Sequence, residues 1–124
     1  MLELNFIKFM KLYSEIPVYS FYIPEDAPAT AFCFENAGQG IATQYHDGSE
    51  IVTKTIKLTI STKDISVIYN DSELTKYVNN TFLIGDLPII KARILNYSDL
   101  FNQEQKIYER TYSIQFKYKN KETY

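Results

Sequence analysis

From Ile107 to Tyr118 the chain reads IYERTYSIQFKY, and its even positions carry Tyr108, Tyr112, Ile114, Phe116 and Tyr118. The odd positions from 109 on carry Glu109, Thr111, Ser113, Gln115 and Lys117. Successive side chains of an extended chain point to opposite faces, so this alternation specifies an antiparallel strand with one packed and one wet face. Such a strand needs a sheet, and its apolar side needs a cover. Arg110 falls in the apolar row, where it is expected to bury its stem and keep its charge in water.

The remaining segments must supply the sheet and the cover. At 124 residues the chain fits a single α+β domain, 1–124, large enough for a core without staples. Eleven Tyr and eight Phe provide apolar bulk that suits strands. Residues 2 to 16 place Leu2, Phe6, Phe9, Met10, Tyr13 and Ile16 at three- and four-residue steps, an amphipathic helix ended by Pro17. Leu4, Ile7 and Leu12 widen its stripe and give it a second side to cover. Val18–Ile23 reads as a short extended piece, Pro24–Pro28 as a rigid acidic turn, and Ala29–Glu35 as a strand buried on both faces.

Asn36 to Glu50 loses periodicity and is expected to be a long loop. Its Gly38 and Gly40 lack the third glycine of a dinucleotide fingerprint, and His46, Asp47 and Glu50 form no recognised metal spacing. Ile51–Ile60 alternates again, with Ile56, Leu58 and Ile60 on one face, and is expected near the sheet centre. Leu74, Tyr77, Val78, Thr81 and Phe82 fit a helical face that Ile65, Ile68 and Tyr69 extend backwards, predicting one bent helix over 63–82. A short strand at 65–69 before a shorter helix is the other reading, with Asn70 as cap and Glu73 three residues on. Ile89–Tyr97 is a further strand, and Ser98–Lys106 a polar loop carrying Phe101. The sum is an α+β fold with a single antiparallel or mixed sheet of about four to five strands, packed by an N-terminal helix and a middle helix.

Composition excludes several classes of function. A single cysteine, Cys33, rules out an intrachain disulfide; within Ala31-Phe32-Cys33-Phe34 it reads as a buried inert thiol in a reducing cytoplasm. Net charge is −2 with both signs dispersed, so no nucleic-acid specificity is expected. Lys117, Lys119 and Lys121 read as a solvated strand face that also discourages edge pairing. No apolar run approaches the ~18 residues of a membrane span, and no leader is recognisable. One histidine, one cysteine and no nucleophile, phosphate-loop or zinc motif give no catalytic, metal or cofactor site to assign. On residues alone the class is a non-enzymatic binding or assembly module.

A resemblance narrows this. The order runs from an amphipathic first helix through the acidic proline loop Ile23-Pro24-Glu25-Asp26-Ala27-Pro28 to the strand Ala31-Phe32-Cys33-Phe34-Glu35 and a glycine-containing loop. A strand then leads into Ser61-Thr62-Lys63-Asp64 and a second helix, and the end is a strand, a polar loop and the aromatic strand Tyr108–Tyr118. In that order the chain resembles the small minor capsid or tail-terminator (tail-completion) proteins of tailed bacteriophages. It departs at Asn70-Asp71-Ser72, where that family has uninterrupted helix formers.

The resemblance implies a structural virion protein at the head–tail junction, present in the host cytoplasm during assembly. Its subunits would close into a ring, commonly of six, stop tail-tube polymerisation, and meet the tail tube protein and the head-completion or connector protein. It implies no cofactor. The expected assembly contacts are the surface of the first helix at Leu4 and Leu12, Tyr45 in loop 36–50, and Phe101 in loop 97–106. The rival reading is an α+β adaptor or dimerisation module unrelated to phage.

Overall fold

The computed structural model describes residues 2–24, 27–39, 43–44, 49–69, 72–81, 83–84 and 87–121. Helix α1 (Leu2–Tyr13) is followed by strands β1 (Val18–Ser20), β2 (Ala31–Gln39), β3 (Thr43–Gln44) and β4 (Ser49–Thr62). Helices α2 (Ile65–Tyr69) and α3 (Ser72–Asn79) precede β5 (Leu83–Ile84), β6 (Leu87–Asn102) and β7 (Ile107–Lys121). The strands form one mixed sheet in the order β1-β2-β4-β7-β6-β5, with the two-residue β3 also paired to β4. Only β1 against β2 is parallel among the described strands.

Strand β7 lies in the middle of this order, between β4 and β6. Its even residues Tyr112, Ile114, Phe116 and Tyr118 are buried beside Leu58, Ile56 and Val52 of β4, the paired rungs of one apolar face. Helix α1 covers that face because Leu2, Phe6, Phe9 and Met10 fall on one side of it. The Phe6 ring meets Phe34 edge-on at 5.1 Å and Phe116 at 5.9 Å, joining helix, β2 and β7 in one cluster. Leu74 and Val78 of α3 complete the cover, and the Tyr77 ring stacks on Phe9 at 4.4 Å while its hydroxyl donates to the Phe9 carbonyl at 2.6 Å.

The structure corrects the expected strand count of four to five: among the described residues six strands lie along the sheet and a seventh beside it. The additional ones, β1, β3 and β5, are two or three residues long, too short to show alternation. The first helix stops at Tyr13, before Pro17. Strand β2 runs on to Gln39, past the predicted start of a long loop; its register shifts between Asn36 and Gly38. Gly38 has φ +140°, a backbone conformation that side-chain-bearing residues rarely adopt, and this is its role here.

The single middle helix is likewise corrected, because α2 and α3 are separate helices and residues 70 and 71 lie outside the described ones. The strand reading of 65–69 is also overturned. Asp64 starts α2 by accepting hydrogen bonds from the Ser66 amide at 3.0 Å and the Ser66 hydroxyl at 2.8 Å. These bonds hold its carboxyl below the usual carboxylate range. Helical secondary chemical shifts through both 65–69 and 72–79 are the expected result in solution. Extended shifts across 65–69 would contradict α2.

The predicted loop Ser98–Lys106 is mostly strand. Strand β6 continues to Asn102, pairing Ser98 with Thr111 and Phe101 with Tyr108, and residues 103–106 alone turn the chain. Asn102 makes this tight turn by accepting from the amides of Glu104 and Gln105, and Lys106 closes it at φ 55°. Two register shifts, between Ile89 and Lys91 and between Ile94 and Asn96, change which residues of β6 face inward. The period-two signal is therefore broken twice within one strand.

Candidate assembly surfaces

The two faces of the sheet differ in chemistry. The covered face is apolar, whereas the other presents Thr53, Thr55, Lys57 and Thr59 from β4 and Thr111, Ser113, Gln115 and Lys117 from β7. Thr59 and Thr111 join their hydroxyls across strands at 2.9 Å. At the β1–β2 side this face deepens into an open trough of about 1060 Å³, lined by Cys33, Glu35, Lys57, Thr59, Tyr22 and Glu109 among others. Cys33 thus faces the trough, half-buried, and is not the core thiol expected from its apolar neighbours. Burial first, then the nearby Glu35 and Glu109 carboxylates, push its thiol pKa up, which disfavours the nucleophilic thiolate. Among the described residues no group of three or more His, Cys, Asp or Glu side chains is placed to hold a metal ion. No helix among them is long and apolar enough to cross a membrane.

Arg110 departs from expectation, since its charge is inside rather than in water. The residue is 5% exposed, and its guanidinium grips Asp99 with Nε to Oδ1 at 2.6 Å and Nη2 to Oδ2 at 2.9 Å. Nη1 donates to the Ile68 carbonyl at 3.3 Å, and the guanidinium lies 4.1 Å from the Tyr97 ring centre. One side chain therefore ties β7 to β6 and α2. The Arg110 hydrogen bond, reinforced by its charge and opposed by desolvation, holds the Asp99 carboxyl below the usual range.

This anchor organises an apolar patch where α2 meets the β6–β7 hairpin. Ile65, Tyr69, Leu100 and Phe101 surround a 250 Å³ depression there, with Tyr69 68% and Leu100 65% exposed. Phe101, an expected contact, is 43% exposed and packs its ring 4.7 Å from Tyr108. It sits on a strand rather than in a loop. Leu4 and Leu12, also expected contacts, project from the outer side of α1 at 63% and 85% exposure, separate from the hairpin. Tyr45 lies outside the described residues.

Sequence reading missed Phe21 and Tyr22, which leave β1 with both rings largely exposed; Phe21 adopts φ 71°, unusual for a bulky residue. Two adjacent aromatics just before Pro24 were the available signal. Leu100 and Tyr69 carried none, since Leu100 lies in the stretch read as a polar loop and Tyr69 in the stretch read as the middle of one helix, whereas it is the last residue of α2.

No protein-family model matches the sequence, and no curated protein matches it. A solved chain from the virion of a native gene transfer agent (GTA) particle is similar in three dimensions, with a TM-score of 0.59 at 8% identity. The two share a fold. The likeness covers 90% of this chain and 84% of that one.

Proposed function

We propose that this chain is a structural virion protein, folded as one α+β unit over 1–124, that acts as a tail terminator or minor capsid protein. In this reading its copies close into a ring, of six, at the head-proximal end of the tail, stop tube polymerisation and join the head connector. The observation that carries the virion role is the fold shared with a virion chain over 90% of the sequence. The ring is supported by surface chemistry. A closed cyclic assembly joins two different patches on each subunit, and the outer side of α1 and the α2–hairpin patch are separate apolar surfaces.

Electron microscopy of particles produced without this protein tests the reading. Overlong or headless tails are the expected result. Normal-length tails joined to filled heads would eliminate it and leave an adaptor module as the better account.

A further inference from the structure

The wet face of the sheet is strongly basic at the end away from the hairpin turn. Lys117 and Lys119 of β7 share it with Lys91 and Arg93 of β6, and all four side chains are exposed. The expectation that the lysines guard an edge is overturned, because β7 is an inner strand with both sides paired. Moreover, the register sets Lys91 directly opposite Lys117, a like-charge pair that weakens a sheet. None of the four is in an ion pair among the described residues. In a chain of net charge −2, this patch runs against the overall sign.

The geometry points to a binding site for the phosphate backbone of nucleic acid, without sequence preference. Four cations on adjacent strands lie roughly 7 Å apart along a strand and about 5 Å apart across it, a concentration of positive potential that a polyanion would relieve. The side chains between them select the kind of polyanion. Thr53, Thr55 and Gln115 supply hydroxyls and an amide, the groups that bond phosphate oxygens beside Lys and Arg. An interface for an acidic protein would instead place aromatic anchors at its centre; the patch has only the aliphatic Ile90 and Leu95 of β6 near it, and the exposed aromatics lie elsewhere, after β1, on α2 and towards the hairpin. The inference does not depend on ring formation, since the patch belongs to one subunit.

Fluorescence anisotropy of the full chain with a labelled 20-base-pair duplex of mixed sequence tests it. About four phosphate contacts predict a loss of affinity of about 10²-fold between 50 and 200 mM salt. The variant K91Q/R93Q/K117Q/K119Q should bind at least tenfold more weakly at 50 mM salt, with a flatter salt dependence. K117R/K119R should retain binding, and K8Q/K11Q, whose lysines are exposed on α1, should bind like the parent. Folding of each variant is verified by its thermal melt, and the charge-retaining pair keeps the test decisive if the quadruple variant fails to fold. No binding by the parent at 50 mM salt, equal loss in K8Q/K11Q, or poly-glutamate binding as tight as DNA would each overturn the assignment; the last would reassign the patch to an acidic protein.

Discussion

Phe116→Ala is expected to destabilise the protein by about 3–5 kcal/mol, whereas Gln115→Ala, one residue away, should cost less than ~0.5 kcal/mol. Phe116 is fully buried in a central strand and meets the Phe6 ring of α1, so truncation removes its transfer free energy and leaves a cavity that helix and sheet must both collapse to fill. Gln115 points to the wet face, paired across strands with Thr55 and Arg93. Urea unfolding of the two variants measures the difference. Similar losses in both would mean that the faces of β7 are wrongly assigned.

Asp99→Ala is expected to cost about 2–3 kcal/mol, because it strips a buried guanidinium of a two-pronged, charge-assisted partner. The figure is below the ~3–5 kcal/mol of a fully enclosed pair, since the Asp99 side chain is 49% exposed and water screens it. The double variant Asp99→Ala/Arg110→Met should recover part of that loss, because the unpaired buried charge goes with it. A double variant additive or worse would show that desolvated charge is not the source of the cost. The pH dependence follows the same pair. The folded Asp99 pKa is lowered, so its contribution is fully present above the unfolded value of about 3.9 and is lost as pH falls through the folded pKa. Asp99→Ala should therefore unfold with a weaker acid dependence below about pH 4 than the parent.

The parts of this fold legible in the sequence are those where one period persists. Strand β7 from Thr111 on and the 55–60 part of β4 carry unbroken alternation, and their buried residues Tyr112, Ile114, Phe116, Tyr118, Ile56, Leu58 and Ile60 are those read from the pattern. Helix α1 is equally plain through Leu2, Phe6, Phe9 and Met10. Legibility fails where the phase slips. The inward residues of β6 run Ile89, Ala92, Ile94, with spacings of three and two that fit no single template, and the predicted strand stopped at Tyr97 because Ser98–Lys106 is polar. The Arg110 site was illegible for another reason: its partner Asp99 sits in a stretch that looks like a polar loop, and only cross-strand register brings the two together. Of the surface residues expected to make assembly contacts, Leu4 and Leu12 could be picked because a helix has one inner side and they fall off it.

The position of β7 also bears on the birth of the molecule. It is the latest of the described strands to be synthesised, yet it is the one that β4 and β6 both pair with along most of their length. A nascent chain ending near residue 106 has α1, β2 and β4 but lacks the ladder partner that joins them to β6, and Phe6 has no Phe116 to close upon. At roughly 5–20 residues per second, several seconds of translation separate the first helix from the strand it needs. The main ladder of the sheet therefore closes late, and the hairpin patch, where Tyr108 and Glu109 of β7 lie beside Leu100 and Phe101 of β6, does not exist on a chain that stops before β7.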